Sequence, residues 1–381
     1  MSPQSAVSFS VSSSGSDEPS SGVLVPGVAR VAIADDALFL EHVAPPGHPE
    51  CGDRLLAVRA GLQRAAAEAE LGPGHGPGRA YLNLSFGDAS EEQLTRVHDP
   101  AYVEQLGHLA GRSGYLESDT YLSAGSVAAA RRAAGSAVAL VEALHGGAAR
   151  SGFALPRPPG HHALADRAMG FCLLNNVAVA AAHARALGRD RVLVLDWDVH
   201  HGNGTEAMFY GDPQVLFISL HQHPGYPGTG AAGDLGQGDG RGHNVNLPLL
   251  PGATDSVYAS AFARIVLPII EQFAPDFALV SCGFDAHERD PLAQMALSSA
   301  AYADMTAGML RELPPTCPLG FVLEGGYDLK ALTESSQAVA GVLLGGAGAG
   351  AQDAPTPAMS EEQAAALRRI QLAQAPFWQL G

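Results

Sequence analysis

The chain of 381 residues has only four cysteines, Cys51, Cys172, Cys282 and Cys317, spaced so widely that none forms a Cys-x-x-Cys pair. That excludes a disulfide framework and a thiolate zinc knuckle, and it fits a reducing cytoplasm. No apolar run reaches the ~20 residues that a membrane-crossing helix requires. Residues 1–22 lack a basic segment and an apolar stretch, and their serine-rich sequence reads as a disordered tail rather than a signal peptide. Positive charge is scarce: 22 Lys plus Arg stand against 39 Asp plus Glu, a formal charge of -17. Such a balance disfavours any broad grip on nucleic acid or an anionic membrane. A cationic substrate would suit that field, although acidity also simply keeps a protein in solution.

What is present is a core and a rhythm. With 46% hydrophobic residues, a chain of this length buries roughly three-quarters of its unfolded surface. Ala-rich stretches from Ser126 to Leu144 and from Val177 to Leu187 read as helices, the second opened by Asn175 or Asn176 and stopped by Gly188. Short apolar runs bounded by Gly, Pro or polar clusters read as buried strands: Gly152 to Leu155, Val192 to Leu195, Val215 to Ile218, Phe277 to Val280 and Phe321 to Leu323. Strands alternating with helices predict a parallel sheet covered on both faces. One domain is expected over residues 23–381, with a flexible Gly/Pro-rich connector at about 345–358 and a closing helix from Ser360 to Ala373.

A polar cluster follows every expected strand: RPPGHH, DWDVHHGN, SLHQ, FDAHERDP and EGGY, in chain order. Ligand crevices in open α/β sheets lie at the carboxyl ends of the strands, so these clusters should converge. If the chain stays extended past Leu195, Asp196, Asp198 and His200 share one side while Trp197, Val199 and His201 share the other. Two carboxylates and an imidazole buried together are costly without a cation. An isolated Asp-x-His would more often pair only with backbone amides, but the second acidic cluster from Phe284 to Asp290 favours a metal. Zinc with an open fourth position suits such donors, and ferrous iron, cobalt or manganese would also accept them. A metal that acidifies water needs a base beside it, for which His161 and His162 are the candidates.

The ordered set RPPGHH, GFCLLNN, DWDVHHGNGT, SLH with GYPGTG, GFDAHERDP and EGGY resembles the histone deacetylase family in the broad sense, with the acetylpolyamine amidohydrolases and the bacterial deacetylase-like amidohydrolases. The resemblance runs from about Asp36 to the closing helix. It implies the arginase/deacetylase fold, a three-layer α/β/α sandwich around a mostly parallel sheet. It also implies zinc-dependent hydrolysis of an acyl-amine, with one zinc per chain on Asp198, His200 and Asp285. His161 and His162 would be the acid/base pair, with His162 as proton carrier. Asp196 would hydrogen-bond His161 and join Ser219 and the backbone carbonyls of Asp198, His200 and Leu220 around a structural potassium ion. Tyr327 would donate to the oxyanion. Phe171, beside Gly170, and Tyr226 would wall a narrow channel, Asp119 would hold substrate at the rim, and Arg54 would line an inner cavity. Asn203, where class I members carry aspartate, resembles class II enzymes and should leave the His162 pKa lower.

The substrate expected from this resemblance is acyl-lysine in a protein or peptide. The alternative is an acetylated polyamine, for which family members place an acidic gatekeeper after the Asp-Pro of the GFDA loop. Here that position is Leu292, following Asp290 and Pro291, and it offers no counter-charge. A binuclear manganese ureohydrolase is disfavoured because Asp285-Ala286-His287 continues into Glu288-Arg289, without the second acidic ligand of the arginase branch. A non-catalytic acyl-lysine binder is disfavoured because Tyr327 and the zinc ligands are all present. No direct nucleic-acid or membrane partner is expected, and a homo-oligomer is left open.

Overall fold

In this computed structural model the described residues are 29–71, 80–346 and 359–380. The expected tail over 1–22 and all but the first two residues of the expected connector lie outside them. Eight strands form one sheet: β1 (Ala29–Ala34), β2 (Tyr81–Asn83), β3 (Ala149–Ala154), β4 (Val192–Asp196), β5 (Val215–Gln222), β6 (Asn244–Leu249), β7 (Phe277–Cys282) and β8 (Leu319–Leu323). Their order is β2-β1-β3-β8-β7-β4-β5-β6, and every neighbouring pair is parallel. Helices cover both faces, the layered arrangement anticipated from the sequence. Strand β4 shows the division: Leu193 and Leu195 enter one core layer, Val192 and Val194 the other. Period-two alternation does this, and both layers are apolar because neither face meets water.

The helix Asn176–Ala186 illustrates how local sequence sets an element. Asn175 Oδ1 accepts the Ala178 N–H at 3.0 Å, and Gly188, at φ +89°, stands just beyond the last turn. The closing helix runs Glu361–Gln374, with Ser360 and Gln363 in a reciprocal capping box, and buries Leu367 and Ile370. Strand β6 was not expected because NVNLPL carries two asparagines and a proline. As an edge strand paired only with β5 it tolerates Pro248, and Glu206 accepts hydrogen bonds from the buried Asn244 and Asn246 amides.

The strand order positions the site. After β3 the chain leaves the β1 side and crosses to β4, and the space between is filled later by β7 and β8. The carboxyl ends of β3, β8, β7 and β4 therefore flank a topological switch point, where α/β sheets open a crevice.

Candidate active site

Each of those four strands delivers a functional group from its carboxyl end. Beyond β4 the strand stops at Asp196, yet the alternation persists because two successive Asx turns hold the chain. Asp196 Oδ1 accepts the Asp198 N–H at 3.1 Å, and Asp198 Oδ1 accepts the His200 N–H at 2.9 Å. Trp197 and Val199 go into the core. His201 turns to a separate cluster with Thr229 and Glu206. Asp198 and His200 meet Asp285, which follows β7.

These three side chains form a convergent donor set, with one ligand atom from each lying within 4.8 Å of the others. His200 Nδ1 is 3.1 Å from Asp198 Oδ1 and 3.2 Å from Asp285 Oδ2. Bonds of ~2.1 Å to a tetrahedral cation would place neighbouring ligand atoms about 3.4 Å apart, close to this spacing. The remaining oxygens are turned outward: Asp198 Oδ2 accepts the Gly325 N–H at 2.8 Å, and Asp285 Oδ1 accepts the Val199 N–H at 2.8 Å. Asp285 Oδ2 is buried without a hydrogen-bond partner of its own. Burial would lower the His200 pKa, but the close Asp198 and Asp285 carboxylates outweigh it and lift the value to about 10. The two carboxylates thus favour positive charge at this point, and the set fits a divalent cation. Gly325 is required there, since a Cβ would lie 2.1 Å from Asp285 Oδ2.

The histidine pair follows β3. His161 Nδ1 donates to Asp196 Oδ2 at 2.9 Å, and His162 Nδ1 pairs with Asn203 Oδ1 at 2.8 Å. The rings lie 4.0 Å apart, and their environments push them in opposite directions. Burial disfavours charge on His161, but Asp196 and Asp198 overcome it and raise its pKa well above the usual imidazole value. Burial and the adjacent His161 and His200 hold His162 well below it. Two titratable neighbours driven apart in this way are suited to separate acid and base roles.

Tyr327 follows β8. Its hydroxyl pKa is raised by burial and by Asp285 and Asp198, with Arg54 opposing. The Arg54 guanidinium lies over the Tyr327 ring, 5.0 Å from its centroid. Arg54 is itself buried, donating to the carbonyls of Glu324 and Gly326 and pairing with Glu50 at 3.0 Å.

The expected channel residues surround this group. Phe171 meets Tyr327 edge to face at 6.1 Å, and Tyr226 meets the His162 ring at 5.1 Å. Gly170 packs against His162, where a Cβ would come within 2.5 Å of the ring. Asp119, at the tip of the hairpin joining Gly114–Tyr115 to Tyr121–Leu122, accepts from the Thr120 hydroxyl, and after burial its charge helps raise the Tyr226 hydroxyl pKa. Leu292 is 42% exposed. Asp196 and Ser219 are register partners on β4 and β5, and both are fully buried beside Leu220. The SLHQ cluster supplies nothing else to the crevice: His221 bonds Ser219 Oγ and the Gly230 carbonyl.

Sequence reading missed the scaffold behind the site. Glu50 is fully buried, pairs with Arg157 at 2.7 Å and Arg54, and accepts from the Tyr121 hydroxyl at 2.9 Å. Burial would raise its carboxyl, but Arg157 and Arg54 bring it down to about 2. The i, i+4 spacing of Glu50 and Arg54 was visible; the Arg157 partner was not. Glu324, likewise missed, accepts the N–H groups of Gly160 and His161.

A cation-ready triad, a split histidine pair and a half-buried tyrosine at the carboxyl ends of four neighbouring strands define the class, that of the hydrolytic deacetylases. Residues 48–343 match the profile described as the histone deacetylase domain, and the chain belongs to the histone deacetylase family. It is 45% identical over 326 residues to histone deacetylase 15 of Arabidopsis thaliana, covering 83% of this chain and 57% of that protein. It is 47% identical over 245 residues to the histone deacetylase-like amidohydrolase of Pseudomonas aeruginosa, covering 63% of this chain and 64% of that one. The fold superposes on the crystal structure of the HDA15 HD domain with a TM-score of 0.81 at 39% identity, over 92% of this chain and 96% of that one.

Proposed function

We propose that this chain removes acetyl or other short acyl groups from the side-chain amine of lysine in proteins or peptides, releasing the free carboxylate and a primary amine. The observation that carries the reading is the meeting of Asp198, His200 and Asp285 with the His161–His162 pair and Tyr327 in one crevice. Zinc is the metal we assign to the triad. When bound, it supplies a Lewis acid for the acyl carbonyl and lowers the pKa of water.

The protein's own groups do the rest. His162, kept neutral and anchored through Nδ1 by Asn203, has Nε2 free to take a proton from the attacking water. His161, held as a cation by Asp196, stabilises negative charge beside it and shares return of a proton to the leaving amine. The Tyr327 hydroxyl, protonated at any working pH, donates to the carbonyl oxygen as it becomes an oxyanion. Phe171 and Tyr226 fit a methylene chain and exclude bulk.

Leu292 supports acyl-lysine over a polyamine, because an apolar residue at the mouth pairs with no second ammonium. We also assign structural potassium to Asp196, Ser219 and the Leu220 carbonyl, and a cytoplasmic setting in keeping with four free cysteines among the described residues. The test is kcat/KM for an acetyl-lysine peptide against N8-acetylspermidine at one ionic strength. A higher value for the peptide is expected. A clear preference for the polyamine overturns the substrate and leaves the hydrolase, and inactivity of metal-loaded protein toward every acyl-amine overturns the reaction.

A further inference from the structure

Strand β8 ends one residue before Glu324, a fully buried carboxylate with no role in the chemistry above. Its Oε2 accepts two backbone N–H groups, from Gly160 at 2.6 Å and from His161 at 3.1 Å. Both belong to the turn that carries the histidine pair. Its Oε1 is buried with no hydrogen-bond partner. The unpaired Oε1 costs stability, whereas Oε2 satisfies two buried backbone N–H groups that an apolar residue would leave without an acceptor.

The surroundings show what is gained. The Glu324 backbone is locked from the opposite side: its carbonyl and that of Gly326 both accept from Arg54, which Glu50 holds in turn. Its N–H donates to the Cys282 carbonyl at the end of β7. The chain therefore cannot shift at Glu324 without moving Tyr327, three residues on. On the other side, Gly160 is pressed against the Asn176 N–H, where a Cβ would come within 2.4 Å. The histidine turn has no slack either.

We propose that Glu324 is a positioning residue for the reaction proposed above, on which this inference rests: it ties the His161–His162 turn to the Tyr327 loop and sets the separation between proton carrier and oxyanion donor. A misplacement of ~1 Å at a reacting centre can cost about 100-fold in rate, so a clamp between two arms from different strands has a large lever. What the role requires is an acceptor oxygen at that reach, not a charge.

Three variants separate reach from charge. Glu324→Gln keeps an acceptor at the same distance, Glu324→Asp keeps the carboxyl group but falls a methylene short, and Glu324→Leu removes both. Metal content, kcat and KM on an acetyl-lysine peptide, and amide hydrogen exchange of the segment 157–163 would be measured for each. The expected order of kcat is wild type, Gln, Asp, Leu, with Gln within about tenfold of wild type and Leu about 100-fold down. KM and metal content should stay within twofold. Exchange in the segment should accelerate in Asp and Leu and remain near wild type in Gln. An Asp variant equal to or better than Gln, a loss confined to KM, or unchanged exchange in the Asp and Leu variants overturns the clamp. Should Leu fail to fold, the Gln and Asp pair decides. If the wild type hydrolyses no acyl-amine, the deacylase reading falls, and the exchange comparison still tests the clamp.

Discussion

Asp290 Oδ2 accepts the backbone N–H of Tyr327 at 2.7 Å. The other oxygen of the same carboxylate accepts the N–H of Leu292 at 2.9 Å, so one side chain ties the tyrosine loop to Leu292. Asp290→Ala removes both bonds. We expect kcat to fall about tenfold, since one lost positioning contact of ~1.4 kcal/mol in the transition state has that effect, and Asp290→Asn to fall between the two. Steady-state kinetics on an acetyl-lysine peptide check this. A kcat unchanged in the alanine variant would mean that Arg54 alone holds the loop.

In the proposed mechanism Tyr327 acts by its hydroxyl. Tyr327→Phe keeps the ring under Arg54 and against Phe171 and removes only the donor. The expected loss is ~100-fold or more in kcat with KM little changed, because the bond strengthens as the oxyanion forms. An undiminished rate would remove the tyrosine from the mechanism.

The metal assignment makes a separate prediction. Asp285→Ala takes one of three donors and leaves Asp198 and His200 with an unfilled corner. Purified variant should contain far less than one equivalent of divalent metal by elemental analysis, and chelation should abolish wild-type activity with recovery on adding zinc. A variant that keeps a full equivalent places the ion elsewhere.

How much of this was legible in the sequence differs by kind of residue. Strand β4 was readable because VLVL is a short apolar run with a polar boundary at each end, and its register followed from alternation alone. Strand β2 has three residues, and β6 conceals its strand behind Asn244, Asn246 and Pro248, whose partners come from elsewhere in the chain. Asp198 and His200 were readable as candidate donors because they lie two residues apart, and the acidic cluster from Phe284 to Asp290 because it follows another strand; the resemblance singled out Asp285. The family resemblance supplied the roles. The roles of Glu50, Glu324 and Asp290 were not readable: their deciding partners stand as far as 107, 164 and 37 residues away. Sequence placed Glu324 and Asp290 in polar clusters at strand ends, but only the fold shows which backbone groups they hold.

Stability should fall in mild acid for a nameable reason. His98 uses both nitrogens as a neutral ring, accepting the Asn175 N–H at 2.9 Å and donating to the Leu164 carbonyl at 3.0 Å. Burial lowers its pKa from 6.5 to about 4, and burial with Arg157 does the same to His42. Between these values the unfolded chain binds a proton that the folded chain refuses. The contribution of these two rings is therefore full above pH 6.5 and lost progressively as pH falls toward 4, by up to about 3 kcal/mol per histidine. Glu50, depressed to about 2, adds its own loss only below its unfolded value of 4.5. The check is Tm from pH 8 to 4.5: His98→Gln, which can still donate and accept, should flatten the slope above pH 5. An unaltered slope would absolve His98.

In the proposed mechanism Asn203 sets the pH at which the His162 ring is neutral. Its Oδ1 meets His162 Nδ1 at 2.8 Å without contributing a full charge, and the His162 pKa stays depressed by burial and by its cationic neighbours. The neutral ring is the form that takes the proton, so kcat/KM should fall only when pH drops through that depressed value. Asn203→Asp would put a carboxylate at the same nitrogen. An opposite charge at hydrogen-bond distance favours the imidazolium by about one pH unit or more. The acid limb of kcat/KM should then move to higher pH, while activity on the alkaline side stays near wild type. The pH profile of both proteins on one peptide, with metal content matched, decides it. If the limb stays in place, His162 is not the group whose protonation stops the reaction, and the proton carrier must be sought in His161.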